Sequence, residues 1–515
     1  FRLLGEKSAR IWIEKADWIA RHGGMALINV HPDYIRFEGE PESPHTYPVQ
    51  YYIDFLRHMR ERYANTLWNA LPREVAEHFS NASPQHQPPA SSPNILSTPA
   101  RQRCSLNGKR AAVILYSGFP SDPRPRRELE ALVERGMSVD LICLAEDAEQ
   151  PRHETLGSLT VTRVPIQHKR SGKIRYFWDY ARFFLHAFWL QTLRGPARRY
   201  DLVHVHNMPD FLVFTALVPR LLGARVILDL HDPMPELYQT IYSLRKDALM
   251  VRMLKAMEKW SIGFAHLVLT PNEAFRKLFC SRSCPDSKVE IVMNTPDENL
   301  FHPGKAVAKE TTGTQTAAEF RLMYHGLIAE RHGLSTAIQA VKNARVSVDN
   351  LVLEIYGKRN AYLDQVVRMA EDLKLNGSFR YCGKRRIDDI PAAILDSDLG
   401  VIPNCRTPFT EINFPTRIFE YLCLGKAVIV PRTRGIQDYF SEDSIIFFEP
   451  DNAQDLSDKI CWAYSHPAEV QAIVARGQKV YEQHRWALEK HLFLGLVEDL
   501  LTSQSRAAQA PPANG

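Results

Sequence analysis

The 515 residues contain no long uninterrupted apolar run, no spaced set of cysteines, no large excess of one charge and no short tandem repeat. Each absence closes a class of protein. The most apolar long stretch, residues 177–193, carries Asp179, Arg182 and His186, and it is shorter than the roughly 20 apolar residues a spanning helix needs. The eight cysteines (Cys104, Cys143, Cys280, Cys284, Cys382, Cys405, Cys423, Cys461) lie mostly inside apolar runs, and only Cys280 and Cys284 are neighbours. That pattern fits reduced, buried thiols of a cytoplasmic protein; no second pair of metal ligands is spaced to complete a zinc site. Sixty-four Lys and Arg against 59 Asp and Glu leave a net charge of +5, too mild to argue for a nucleic-acid partner. No secretory signal opens the chain, and Phe1 in place of Met suggests a piece of a longer protein.

One absence is local. No Asp or Glu occurs in residues 79–121, and residues 79–109 are rich in Pro, Ser and Gln; such a stretch cannot bury enough apolar surface to fold and is expected to be a disordered linker. It separates residues 1–78 from the remainder. With 45% hydrophobic and 24% charged residues, the whole has globular composition, and its length suggests about three units.

What is present after the linker is alternation. AAVILYS, SVDLICL, DLVHVHN, ARVILDLHD and HLVLTPN are near-continuous apolar runs bounded by Gly, Pro, Asn or Asp, with helical periodicity between them. After a polar pause at residues 304–319 the pattern resumes with FRLMYHG, LVLEIYG, SFRYCG, LGVIPN, KAVIVPR and SIIFFEP. Buried strands separated by helices predict an α/β protein: two Rossmann-like, doubly wound parallel-sheet lobes, residues 110–303 and 320–480, facing a cleft. Ligands then sit at the carboxyl ends of the strands. Residues 481–502 read as closing helices that cross back to the first lobe, and 503–515 as a disordered tail.

The densest constellation is EINFPTRIFEYLCLGKAVIV, residues 411–430. A helix over 417–424 stopped by Gly425 places Glu420 mid-helix and Arg417 at its start. A carboxylate there suits two ribose hydroxyls, and a guanidinium with the helix N-terminus suits a diphosphate. An ordinary surface helix would show the same pattern.

PTRIFEYLCLGKAVIV, with YHGLIAERHGL, EIYGKRN and LGVIPN, resembles the donor side of family 4 glycosyltransferases of the GT-B fold. SGFPSDPRPRRELEALVERGMSVDLICL and YDLVHVHNMPDFLVFTALVPRLLGARVILDLHDPMPELY are similar to the family's acceptor-side domain, so the likeness covers about residues 110–500. It implies that Glu420 is the ribose-binding member of the family's paired glutamates. Glu411 stands one position too far for the usual spacing, so its role beside the transferred sugar could pass to Asn413. Leu327 and His332 replace the family's diphosphate-binding Arg and Lys; Arg331 and Lys358 are the nearest cations, with Gly326 at the turn. On the acceptor side, His231 matches the family's His near the reacting sugar. Gly118, Arg124, His206 and Asp232 are candidates for contacting the acceptor, Arg124 as part of a cation run, DPRPRRE. The likeness implies retention of configuration, no metal or other cofactor, a nucleotide-sugar donor, UDP- or GDP-linked, and a sugar or lipid-linked acceptor in polysaccharide or glycoconjugate synthesis. Alternatives are a nucleotide-sugar epimerase of the same fold and a catalytically degenerate binding scaffold.

Two further stretches carry expectations. Residues 163–200 hold nine Lys or Arg against one acid, interleaved with aromatics, as suits either a peripheral contact with an anionic membrane or a helix packed by its aromatic face. GGMALINVHPDY, residues 23–34, resembles the final strand and His motif of a polysaccharide deacetylase. The family's metal motifs are absent, so His31 alone cannot hold a catalytic metal, and residues 1–78 read as a truncated deacetylase tail without activity.

Overall fold

The computed structural model describes residues 8–22, 35–37, 39, 46–63, 105–147, 149–166, 173–302 and 319–509. His31, most of the Pro/Ser-rich stretch and nearly all of the polar pause between the lobes lie outside the described residues. The chain forms two compact units, Phe1–Pro99 and Ala100–Gly515.

In the first unit, helices Arg10–His22 and Val49–Tyr63 flank two short parallel strands, β1 (Ile35–Arg36) and β2 (Tyr47–Pro48). Trp12 meets Phe55 edge-on at 5.7 Å, and Tyr63 donates to Asp17 at 2.7 Å. Among its described residues only Ala9, Ala16 and Phe55 are buried apolar side chains, a core too small to explain much stability.

The second unit holds two sheets. The larger has the order β10-β9-β8-β7-β3-β4-β6-β5, built from β3 (Arg110–Gly118), β4 (Ser138–Leu144), β5 (His153–Leu156), β6 (Leu159–Val164), β7 (Leu202–His206), β8 (Arg225–Asp229), β9 (Leu267–Thr270) and β10 (Val289–Ile291). All pairs are parallel except the edge pair β5–β6. The smaller, all-parallel sheet has the order β13-β12-β11-β14-β15-β16: β11 (Phe320–His325), β12 (Leu351–Tyr356), β13 (Phe379–Gly383), β14 (Leu399–Val401), β15 (Ala427–Pro431) and β16 (Ile446–Phe448). This is the doubly wound order that reverses between its first and fourth strands, opening a crevice there.

Apolar residues on both strand faces require helices on both sides. Phe183, Ile262, Phe275 and Phe279 cover one face of the larger sheet over Ile114, Val205 and Leu228. Leu129, Leu132, Phe493 and Val497 cover the other over Val113 and Leu141. Phe493 and Val497 belong to the last helix, Trp486–Gln509, so the chain returns to the first lobe after completing the second. Leu106, inside the stretch read as linker, is 2% exposed and joins this core; one leucine suffices to anchor a polar segment. Replacing Phe493 by Ala should lower stability by about 3–5 kcal/mol, visible as a lower urea midpoint; an unchanged midpoint would mean that the last helix is not part of the first lobe's core.

Candidate functional site

The site forms where the carboxyl ends of the two sheets meet. On the second lobe, β11 ends at His325 and turns at Gly326, whose φ of +119° disfavours any side chain. The helix Arg417–Cys423 starts opposite that turn. Arg417 Nη1 donates to the His325 carbonyl at 2.6 Å, and its guanidinium lies 4.8 Å over the Tyr324 ring. A Cβ on Gly326 would sit 3.5 Å from Arg417. The helix has only seven residues, and the N–H groups of Ile418 and Phe419 already donate to the Pro415 and Thr416 carbonyls. The expected helix-terminus contribution is therefore largely spent, and the guanidinium remains as the anion-binding group.

Glu420 stands one turn on, its side chain 14% exposed and 3.3 Å from His325 Nε2. Burial pushes its carboxyl up to about 7, against the pull of Arg417 and, from the first lobe, Arg127. His325 is pushed down to about 3 by burial and then by Arg417, so the contact is between a carboxyl group and a neutral imidazole. Arg331 is held below its ordinary range by burial, and Asp232, across the cleft, is its main counter-charge. His332, which stands where a lysine was expected, is pushed down to about 3 by burial and meets the Leu327 carbonyl at 2.6 Å.

On the first lobe, β7 and β8 end side by side and carry His206 and Asp229 in register. His231 Nε2 lies 3.0 Å from His206 Nδ1 and 3.1 Å from Asp229 Oδ2, with the His231 side chain 21% exposed. Asn207 accepts from the His231 backbone N–H at 2.8 Å and donates to the Asp232 carbonyl. His231 and Asp232 thus face the second lobe. His206, expected to meet an acceptor, is fully buried behind His231.

One further expectation changes. Arg124 is not an open cation: it is 4% exposed, its Nε and Nη2 donate to Asp229 at 2.9 and 2.8 Å, and Nη1 donates to the Val292 carbonyl. Arg126 pairs with Asp297, and Arg127 donates to Asn294 and the Thr295 carbonyl. All three arginines of the run hold the segment that leads from the first lobe to the second; a charged run on a helix gives no hint of burial until its partners fold onto it. Gly118 lies against the exposed Glu146 side chain, which a Cβ there would strike. Lys358 is an exposed cation after β12.

Glu411 is gripped by Arg406 and Arg434 at 3.2 and 3.4 Å, and Asn413 lies on the same half-buried loop. That loop reaches across: Phe409 N–H donates to Thr240 Oγ1, and Phe409 and Ile412 enter the first lobe's core. Gly435 permits this path, since a Cβ there would lie 2.5 Å from the Ile412 and Asn413 carbonyls. Asp229, buried with Glu128, His204 and His206, carries polar chemistry that sequence reading did not assign to the site. The visible signal was an ionisable residue inside an otherwise apolar strand, as in LVHVH and RVILD.

The raised carboxyl of Glu420 has a stability consequence. Its contribution is complete below its ordinary 4.5 and is lost as pH rises through about 7. Glu420→Gln should therefore be increasingly stabilised relative to the unchanged protein between about pH 5 and pH 8; parallel melting curves across that range would contradict the burial of this charge.

Residues 122–295 match the model of the glycosyl transferase 4-like domain, and residues 314–480 match that of glycosyl transferases group 1. Solved structures share the fold. Sucrose-phosphate synthase from Thermosynechococcus elongatus superposes with a TM-score of 0.64 at 16% identity, covering 77% of this chain and 100% of that one. α,α-Trehalose 6-phosphate synthase from Burkholderia multivorans gives 0.59 at 15% identity, over 79% and 100%. HepE of Anabaena in complex with UDP-glucose gives 0.56 at 16%, over 76% and 99%. A comparison with curated proteins gives no match. Two matched domains in succession, spanning about two thirds of the chain, on two doubly wound lobes identify it as a family 4-like glycosyltransferase of the GT-B fold.

Proposed function

We propose that the protein transfers a sugar, with retention, from a UDP- or GDP-linked donor to a sugar or lipid-linked acceptor in polysaccharide or glycoconjugate assembly. The observation that carries this is the convergence of Arg417, Glu420 and Gly326 at the crevice of the second lobe, with His231 and Asp232 opposite. Glu420 accepts the two ribose hydroxyls, Arg417 and Arg331 receive the diphosphate, and His231 faces the transferred sugar. Positioning the acceptor hydroxyl against the anomeric carbon and stabilising the departing diphosphate are the tasks left to the side chains. The complex of HepE with UDP-glucose, on the same fold, supports a nucleotide-sugar donor. Glu411, held by two arginines, serves here to shape the loop that spans the lobes; Asn413 is the group on that loop left to meet the sugar, and Lys358 sits on the outer rim. The likeness of residues 23–34 to a deacetylase strand supports a deacetylase-derived N-terminal unit, with no activity assigned to it.

A specific observation also favours a membrane-surface encounter. No helix among the described residues is long and apolar enough to cross a membrane. The helix Lys173–Arg198 divides its aromatics: Tyr180 and Phe183 are buried against the sheet, while Trp178, Leu185, Trp189 and Leu193 are about 60% exposed. Leu221 and Leu222, 78% and 55% exposed, continue the patch, since Leu222 packs on Gly195 of that helix. An apolar stripe bordered by exposed Arg182 and Arg198 suits a lipid surface carrying the acceptor.

In a thermal-shift screen over nucleotide sugars, one donor should raise the melting temperature, and the same donor should slowly release its nucleoside diphosphate. Arg417→Ala should slow that release by about 10²–10³-fold, and Glu420→Ala should abolish the shift; a screen in which no donor binds would leave the scaffold reading. Anionic vesicles should retain the protein, and Trp189→Glu with Leu193→Glu should weaken retention; equal retention on neutral vesicles contradicts the membrane contact.

A further inference from the structure

Behind His231 lies a buried group that the transfer reading does not use. Glu128, His204, His206 and Asp229 offer ligand-type atoms all within 4.8 Å of one another, and each residue is less than 1% exposed. Both nitrogens of His204, Nε2 of His206 and both oxygens of Glu128 lack a hydrogen-bond partner. Unpaired polar atoms in such a place call for a cation, a water or a protonation state that makes them harmless. The cation is already there: Arg124 bonds both oxygens of Asp229 and stands 3.3 Å from Glu128 Oε1.

Charge then decides the protonation states. Burial pushes Asp229 up, but Arg124 overrides it and holds the carboxyl well below the usual range. Burial drives Glu128 well above its usual range, aided by the charge of Asp229, and drives His204 and His206 down. One guanidinium, one carboxylate, one neutral carboxyl and neutral imidazoles sum to zero. A divalent ion would displace the Glu128 proton and still leave a buried positive charge uncompensated.

Asp229 Oδ2 is therefore an anionic acceptor, and two nitrogens approach it: His231 Nε2 at 3.1 Å and His206 Nδ1 at 3.3 Å. A lone pair on His231 Nε2 cannot face a carboxylate oxygen at 3.1 Å, so that nitrogen carries the proton, and His206 Nδ1, 3.0 Å from the same nitrogen, accepts there. We propose that Asp229, anchored by Arg124 and accompanied by His206, is a positioning residue that fixes His231 as the Nε2–H tautomer, presenting Nδ1 to the cleft as a hydrogen-bond acceptor for a sugar hydroxyl. The sugar part of this rests on the transferase reading; the tautomer does not. A hydroxyl that donates to His231 is thereby selected over a group that can only accept.

The test uses the full chain labelled with ¹⁵N-histidine, with His231 assigned by its loss in His231→Gln. The ring should show a protonated Nε2 and an unprotonated Nδ1 near neutral pH; the reverse pattern overturns the proposal whatever the activity. Asp229→Asn offers an amide N–H to the same nitrogen and should move the proton to Nδ1, lowering kcat for donor cleavage by about 10²-fold or more with KM for the donor little changed. If that variant fails to fold because Arg124 is stranded, the tautomer of the unchanged protein still decides. A stoichiometric divalent metal that survives purification and is lost in His204→Ala would also overturn the proposal. Absence of donor cleavage with the Nε2–H pattern intact would sink the transferase reading and the hydroxyl contact while leaving the positioning in place.

Discussion

The Arg124 guanidinium is the constraint on which the rest of the molecule depends. It sits at the base of the cleft, 4% exposed, bonded to both oxygens of Asp229 and to the Val292 carbonyl. One side chain thus ties the helix Pro123–Glu134, the end of β8 and the start of the crossing to the second lobe. Removing either partner would leave a buried charge uncompensated, a loss of about 3–5 kcal/mol. The neighbouring Arg126 and Arg127 extend the hold to Asp297, Asn294 and Thr295. Lobe attachment and first-lobe site geometry therefore share one electrostatic anchor.

The second lobe solves a different problem. Its sheet order opens a crevice beside β11, and Gly326 and Arg417 furnish that crevice with an open turn and a guanidinium. Burial does the remaining work. It lifts Glu420 to about 7 and lowers His325 to about 3, so the crevice wall carries little fixed negative charge that would repel a diphosphate. Hydroxyl groups donating to Glu420 favour its ionised form, which the nearby arginines then stabilise.

Much of this was legible in the chain. Every apolar run quoted from the two lobes contains a strand, because runs bounded by Gly, Pro, Asn or Asp and separated by helical periodicity have few other solutions. The edge pair β5–β6 and the three-residue β10 escaped notice: β5 is short and mostly exposed at the sheet's border, and β10 is too short to show a period. Glu420 and Arg417 were visible from spacing along one helix. The fates of Arg124 and His206 were not, because burial against Asp229 or behind His231 depends on partners more than 20 residues away in sequence. A cation run looks the same whether it faces solvent or clamps a crossing.

The central claim is that a nucleotide sugar is held between Glu420 and the arginines of the second lobe. It is tested most directly by a crystal structure with UDP or GDP bound. The account predicts both ribose hydroxyls within about 2.5–3.0 Å of the Glu420 carboxylate and the diphosphate against Arg417 and Arg331. A nucleotide bound elsewhere, or with its ribose turned away from Glu420, would contradict it.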